Sequence, residues 1–376
     1  MDKFIFVAPC LFGLESFVKD EVYSLGYEIT SVTDGRVCFE GDLEAAARAN
    51  VGLACAERVL IRLAEFQALD FEALYQGVKA IPWADYIGKN DAFPVSGHAL
   101  KSRLHSVPDC QRIIKKAIVD RLSAAYGLVR LPETGGAVTV EFLIMKDTVA
   151  IMLDTTGFPL HKRGYRAEGN AAPIRETLAA AMLRQMRYRG REPFADPMCG
   201  SGTIVIEAAL RATGQAPGLT RQFAYESYGF MSGVDTRGVR QEAAAQIHPP
   251  ENVILASDID PEMCELTKRN AKKAGVEALV TVSQGDVRAF NPGIPGGLLI
   301  CNPPYGERMS EAKACEALYA DMGRAFSKLD GWRVGVITSH EEFERFYGRR
   351  ADNKRKMYNG MIKCDFYQFF KPRGKG

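Results

Sequence analysis

The sequence has no Cys-x-x-Cys pair among its nine cysteines and no His-x-x-x-His pair among its five histidines. Without closely spaced thiolates or imidazoles a structural zinc site lacks its ligands, so no metal is expected. Odd in number and scattered, the cysteines read as reduced, mostly buried thiols of a cytosolic protein rather than a disulfide framework. Equally absent is an apolar run near the ~18 residues that cross a bilayer. The opening MDKFIFVAPCLFGLESF has a single Lys, no small-residue cleavage site, and soon turns acidic. That speaks against a secretory signal, and a cytoplasmic protein without a membrane partner is expected. Internal repeats and low-complexity segments are lacking too. What is present is enough apolar residue, 47% against 25% charged, to bury proper cores in a 376-residue chain. That length suits two or three domains.

Charge is unevenly spread behind a net +2. Residues 1–75 carry 6 Lys/Arg against 13 Asp/Glu. Residues 101–130 carry 7 against 2, residues 161–191 carry 8 against 2, and residues 349–376 carry 9 against 2. Three basic stretches fit a polyanion such as nucleic acid, although solvated faces would give the same counts.

The first 60 residues alternate short strand and helix patterns: a strand at 4–8, a helix over 14–25 stopped by Gly26, a strand at 35–40, and a helix that Asp42 caps. A second unit starts near 58, with a strand at 59–66, helices at 71–79 and 111–126, and a hairpin of strands 138–145 and 148–154. Residues 155–170 look like a connector. After Ile174 the rhythm changes to strand–helix repeats, with strands at 194–195, 253–257, 280–283, 298–301 and 334–338. Helices are expected at 176–189, 203–211, 261–274 and 314–329. This predicts an α/β, doubly wound parallel sheet with ligands at the carboxyl ends of its strands. Asn359-Gly360 between residues 355–358 and 361–369 is a hairpin signal, so the sheet should close with antiparallel strands.

Four places along this sheet carry chemistry. Asp196-Pro197-Met198-Cys199-Gly200-Ser201-Gly202-Thr203 joins a strand to a helix, and its glycines let backbone N–H groups approach a ligand. It is not a mononucleotide P-loop, which needs Gly-Lys-Ser/Thr, nor a dinucleotide fingerprint, which needs glycine where Val205 stands; a plain tight turn remains open. Asp258, ending the next strand, can accept hydrogen bonds from both hydroxyls of a ribose, while Asp260 suits the cap of the following helix. Asp286 ends the third strand, where a carboxylate can accept from an adenine amino group. Last comes Asn302-Pro303-Pro304-Tyr305. Two prolines remove two donors and leave the carbonyls before and between them as acceptors. The Asn302 amide oxygen and the Pro303 carbonyl can hold both hydrogens of a planar exocyclic amine, and Tyr305 can stack on an extruded base.

From about 173 to 370 the chain resembles the class I S-adenosylmethionine-dependent methyltransferases with the Asn-Pro-Pro-Tyr motif. His161-Lys162-Arg163-Gly164-Tyr165-Arg166, Ala172-Pro173-Ile174-Arg175-Glu176, Asp196–Thr203 and Asn302–Arg308 together resemble the bacterial THUMP-containing RNA guanine-N2 methyltransferases. The likeness is to the N-terminal half of the 23S rRNA enzyme. It implies a ferredoxin-like subdomain at 1–57, a THUMP RNA-binding domain at 58–155, a connector at 156–172 and a Rossmann-like methyltransferase domain at 173–376. That last domain would hold a mostly parallel seven-stranded sheet with a C-terminal antiparallel hairpin. The resemblance implies S-adenosyl-L-methionine as cofactor, with S-adenosyl-L-homocysteine as product. Asp196, Met198, Gly200, Ser201 and Gly202 would border its methionine end, Asp258 hold the ribose, Ile259 pack on adenine and Asp286 bind the adenine amine. Asn302, Pro303, Pro304 and Tyr305 would present guanine N2. Unlike the rRNA enzyme, this sequence carries no second methyltransferase domain, which leaves ribosomal and transfer RNA both open.

Phosphate contacts are expected from Arg103, Arg112, Lys115 and Lys116 in the THUMP-like unit and from Lys162, Arg163 and Arg166 in the connector. Arg349, Arg350, Lys354, Arg355 and Lys356 either flank the site mouth or keep an edge strand soluble. Cys199 and Cys301 raise the alternative of a thiolate nucleophile, and His161 and His340 that of a base. Rival readings are adenine-N6 methylation of nucleic acid, glutamine-N5 methylation of protein, and an RNA-binding module without catalysis.

Overall fold

The computed structural model describes residues 3–166, 174–306 and 309–370. Ala172, Pro173 and Arg308 of the motifs above lie outside them. The chain forms two compact units, one of residues 1–10, 19–160 and 220–241, the other of residues 11–18, 161–219 and 242–376.

The first unit is built on β1 (Phe4–Pro9), α1 (Glu15–Ser24, shared with the second unit), β2 (Glu28–Thr33), β3 (Arg36–Gly41), α2 (Leu43–Gly52), β4 (Leu60–Gln67), α3 (Phe71–Lys79), β5 (Val95–Leu100), α4 (Val107–Tyr126), β6 (Val140–Met145) and β7 (Thr148–Asp154). Its strands form one seven-stranded sheet in the order β2-β3-β1-β4-β7-β6-β5. Since β1 pairs with β4, one sheet joins the two α+β segments expected on either side of residue 57. Asp42 caps α2 by accepting from Ala45 N at 3.2 Å, as its position suggested. Strand β2 and strand β5 were not foreseen. β2 exposes most of its side chains and carries no alternating apolar face, and β5 is interrupted by Gly97 and His98. The β6–β7 hairpin turns at Lys146 and Asp147, whose φ values of 51° and 63° are those of a type I′ turn.

Residues 220–241, inside the span expected for the methyltransferase domain, make their contacts with this first unit. The Tyr228 hydroxyl donates to the Asp154 carbonyl at 2.5 Å, and Tyr225 N donates to the Thr155 carbonyl at 3.1 Å. Arg221 donates to the Phe158 carbonyl at 2.6 Å, and the rings of Tyr86 and Phe230 meet edge to face.

The second unit holds α5 (Glu176–Gln185), β8 (Phe194–Asp196), α6 (Thr203–Ala212), the end of α7 (Thr236–Ala244), β9 (Ile254–Asp258), α8 (Pro261–Lys273), β10 (Val280–Gln284), β11 (Gly297–Cys301), α9 (Met309–Phe326), β12 (Trp332–Thr338), α10 (Phe343–Tyr347), β13 (Asn353–Asn359) and β14 (Ile362–Phe369). The sheet order is β10-β9-β8-β11-β12-β14-β13. The first five strands in that order are parallel, and β14 and β13 are antiparallel. β11 is buried along its whole length, with Leu298 and Ile300 in one core and Leu299 and Cys301 in the other. A sheet covered on both faces needs such a continuous apolar strand rather than an alternating one. The chain leaves β8 for β9 and β10 on one side and β11 and β12 on the other. The crevice at this switch therefore opens at the carboxyl ends of β8, β9 and β11.

Candidate active site

The glycine turn leaves β8 at Asp196 and enters α6 at Gly202, which is left-handed with φ 84°. A Cβ there would lie 2.8 Å from Thr267 Cγ2, so only glycine fits. Four hydrogen bonds hold the loop. Gly200 N donates to Asp258 Oδ2 at 2.9 Å, Thr267 Oγ1 to the Gly200 carbonyl at 2.8 Å, Asn270 Nδ2 to the Ser201 carbonyl at 2.8 Å, and Cys199 N to the Ser257 carbonyl at 3.0 Å. Thr267 and Asn270 were missed in the sequence. Their signal was two polar residues, one helical turn apart, on the face of α8 that turns inward; both are buried.

Asp196 is fully buried. Its Oδ1 accepts from Met198 N at 3.1 Å, and its Oδ2 is buried without a partner among the described residues. Burial pushes this carboxyl up to about 8, and nearby Asp258 adds to the effect against the Met198 hydrogen bond. A buried acid left half-satisfied at a glycine turn suits a ligand that brings a cationic donor, as the ammonium of a methionine moiety does. Asp258 has a second duty besides any ligand, since its Oδ1 accepts from Asp260 N at 3.1 Å. The adjacent Ile259 is 61% exposed, an apolar side chain available to a flat ring. Asp286 and Ser257 border a cavity of about 320 Å³ that Gly285 and Phe290 also line. Both Asp286 oxygens accept from Arg288, at 2.9 and 2.8 Å from its Nε, and this partner draws the carboxyl below its ordinary range. An adenine amine would have to share Asp286 with Arg288, a partner the sequence reading did not include. These features fit the cofactor that the resemblance implies.

Asn302 follows β11 directly. The Tyr305 hydroxyl donates to its Oδ1 at 2.7 Å, and the Tyr305 ring packs against a core cluster that includes Cys364, whose thiol adjoins the hydroxyl. Tyr305 is half-buried, so only part of its ring is covered by this packing. The Pro304 carbonyl is tied down by the hydroxyl of Tyr319, at 2.7 Å, which also meets Thr338 Oγ1 at 3.2 Å. Tyr319 is fully buried on α9, and burial pushes its hydroxyl up to about 12, so it stays a donor. Among the described residues no donor reaches the Pro303 carbonyl. Burial also drives the Cys301 and Cys199 thiols far above their ordinary range, which removes the thiolate alternative at neutral pH. His340 is packed edge-on between Tyr319 and Phe346.

The basic residues divide sharply. Arg163 is buried and pairs with Glu207 at 3.3 Å, while the Tyr165 hydroxyl donates to the same carboxylate at 3.1 Å. Arg166 donates to Glu176 at 2.8 Å and to the Ile174 carbonyl at 3.2 Å. Neither guanidinium is free for phosphate, contrary to expectation: the carboxylates that claim them sit on α5 and α6. Lys162 is exposed. In the first unit Arg103, Arg112 and Lys116 are exposed, Arg112 beside Asp109. Lys115 lies 3.4 Å from the centre of the Phe93 ring and pairs with Glu133 at 2.8 Å, so it braces α4 first.

No group of three or more His, Cys, Asp or Glu able to hold a metal occurs among the described residues. Nor is any of their helices long and apolar enough to cross a membrane.

Family models match along the chain: an RlmL ferredoxin-like domain at residues 5–60, a THUMP domain at 68–154, and an RMKL-like methyltransferase domain at 163–368. A Bacillus subtilis protein named "Putative RNA methyltransferase YpsC" is 44% identical over 98% of this chain and 97% of its own length. The ribosomal RNA large subunit methyltransferase K/L of Syntrophotalea carbinolica is 34% identical over 98% of this chain, which spans only 53% of that relative. Among solved structures, SMU.472, described as "a putative methyltransferase complexed with SAH", is 40% identical with a TM-score of 0.93 over the full length of both chains. With a glycine turn, an acid at the end of β9 and another just past β10, and a proline corner along one edge of this sheet, the chain belongs to the RMKL-like methyltransferases, a THUMP-containing branch of the class I S-adenosylmethionine-dependent enzymes.

Proposed function

We propose that this protein methylates the exocyclic N2 of a guanine in RNA, with large-subunit ribosomal RNA the foremost substrate. The observation that carries the reading is the proline corner directly after β11, where the Asn302 amide oxygen accepts from Tyr305 and no donor among the described residues reaches the Pro303 carbonyl. RNA as substrate is supported by the THUMP match and by the names of the relatives, the K/L methyltransferase above all.

Bound at the glycine turn, S-adenosylmethionine supplies an electrophilic methyl group. Asp196 would take its ammonium, the second lone pairs of Asp258 would take the ribose hydroxyls, and Ile259 would cover the adenine. The Tyr305 hydroxyl leaves Asn302 Oδ1 as the guanine enters. Asn302 and Pro303 would accept the two N2 hydrogens and hold the nitrogen towards the methyl carbon. The N–C bond formed replaces the S–C bond of the cofactor, S-adenosylhomocysteine is left, and the surplus N2 proton passes to water. An aryl-type amine is a weak nucleophile, so the corner works by positioning and by fixed dipoles rather than by a strong base. Nucleoside mass spectrometry of ribosomal and transfer RNA from cells with and without the gene tests this. Loss of N2-methylguanosine from ribosomal RNA is expected. Loss from transfer RNA alone would move the substrate, and loss of N6-methyladenosine instead would overturn the choice of base.

A further inference from the structure

The loop at residues 11–18 belongs to the second unit although it lies near the start of the chain. It is fastened to edge strand β13. Arg355 donates to the Gly13 carbonyl at 2.5 Å and to Ser16 Oγ at 3.1 Å, and its guanidinium lies 4.4 Å from the Phe17 ring centre. A Cβ on Gly13 would sit 3.3 Å from the Lys356 carbonyl, so the loop lies directly on the strand. Leu11 packs on the same core cluster as Tyr305 and Ile362, and Asn359 and Cys364 of the hairpin adjoin the Tyr305 hydroxyl. The hairpin that holds this segment thus also supplies the neighbours of the Tyr305 hydroxyl.

Its outward side is aromatic and basic. Phe12 is 58% exposed and meets the Tyr358 ring edge-on at 6.4 Å. Met361, at the hairpin tip, is 98% exposed. Lys363 is directly opposite Tyr358 in the β13–β14 register, Lys356 is two residues before Tyr358 on the same face, and both are exposed. Exposed aromatic and apolar side chains are thus flanked by cations. Meanwhile Tyr305, the aromatic expected to meet the base, keeps its ring on the core. Flat faces for stacking with adjacent lysines for phosphate are what single-stranded nucleic acid needs.

We propose that Phe12, Tyr358 and Met361, with Lys356 and Lys363, form a stacking surface for the nucleotide that neighbours the methylated guanine, an assignment that rests on the RNA reading above. It would hold the strand while the target base turns into the proline corner, and it makes an N-terminal loop part of the substrate site. The test uses the full chain, radiolabelled S-adenosylmethionine, and RNA extracted from a strain lacking the gene. Phe12→Ala should raise the RNA KM at least about five-fold, as loss of one stacked base does. kcat and S-adenosylhomocysteine affinity should stay near wild type, and Phe12→Tyr should restore the KM. Met361→Ala, at a side chain with almost no packing to lose, should raise the KM as well, and Lys356→Gln with Lys363→Gln should flatten its salt dependence. An unchanged KM in both Phe12→Ala and Met361→Ala, with wild-type enzyme active on RNA, overturns the surface alone. Wild-type enzyme that transfers nothing to RNA overturns the functional reading and the surface with it.

Discussion

Two loops at the same edge of one sheet solve opposite problems. The glycine turn after β8 keeps its N–H groups, and Asp258, Thr267 and Asn270 pin it so that a buried acid is left with one unmet oxygen. The proline corner after β11 gives up two N–H groups and offers acceptors, one already met by its own Tyr305. The first loop is ready for a cationic, donor-rich ligand. In the second, the Tyr305 hydroxyl already holds the Asn302 amide oxygen. Binding and transfer should therefore separate by mutation.

The sharpest separation is expected at Asn302. Asn302→Ala should slow single-turnover transfer at least ~100-fold, the scale of losing one preorganised polar contact, while S-adenosylhomocysteine titration stays unchanged. Wild-type transfer in that variant would break the contrast. Asp258→Ala should do the reverse and weaken S-adenosylhomocysteine binding at least about ten-fold, because it removes a charged acceptor from ligand and turn together. Calorimetry measures this directly.

A smaller effect is expected from Asp196, read through pH. Its folded carboxyl titrates near 8 and its unfolded one near the ordinary 3.8. Between those values the native state binds the extra proton, so wild-type stability falls as pH rises and the full cost of burial is felt above 8. Asp196→Asn should match wild type at pH 4 and gain a Tm advantage of roughly a few degrees by pH 8. A Tm difference independent of pH would mean the acid is not held neutral. Least of all, Tyr319→Phe should lower kcat about five-fold without touching cofactor affinity, since one hydrogen bond to the Pro304 carbonyl is lost. Steady-state kinetics of the pair would show it.

Much of this was legible in the chain. Apolar periodicity located strands 194–196, 254–258, 280–284 and 297–301 to within a residue or two, because each strand's local pattern reports its own burial. The site motifs were legible for the same reason: prolines and glycines restrict the backbone wherever they fall. Partners distant in sequence were not. His161–Arg166 and α4 look alike as basic runs, yet Glu207, 44 residues from Arg163, buries one guanidinium while Arg112 and Lys116 stay in solvent. Arg288 on Asp286 and Tyr319 on Pro304 escaped notice because nothing local marks which hydroxyl or guanidinium a fold will bring home.

The amino-acid order by itself determined the alternation of strands and helices, the caps at Asp42 and Asp260, the turn at Gly202 and the donor-free corner at Asn302–Tyr305. These follow from side-chain period and allowed φ, which act within a few residues. Tertiary structure alone decided that residues 220–241 join the first unit and residues 11–18 the second, that Arg163 is a buried strut, and that burial raises the Asp196 carboxyl. Those outcomes depend on burial and on charges brought together from far along the chain. A carboxyl's protonation is set by the water it has lost and the neighbours it has gained, and only the folded chain settles either.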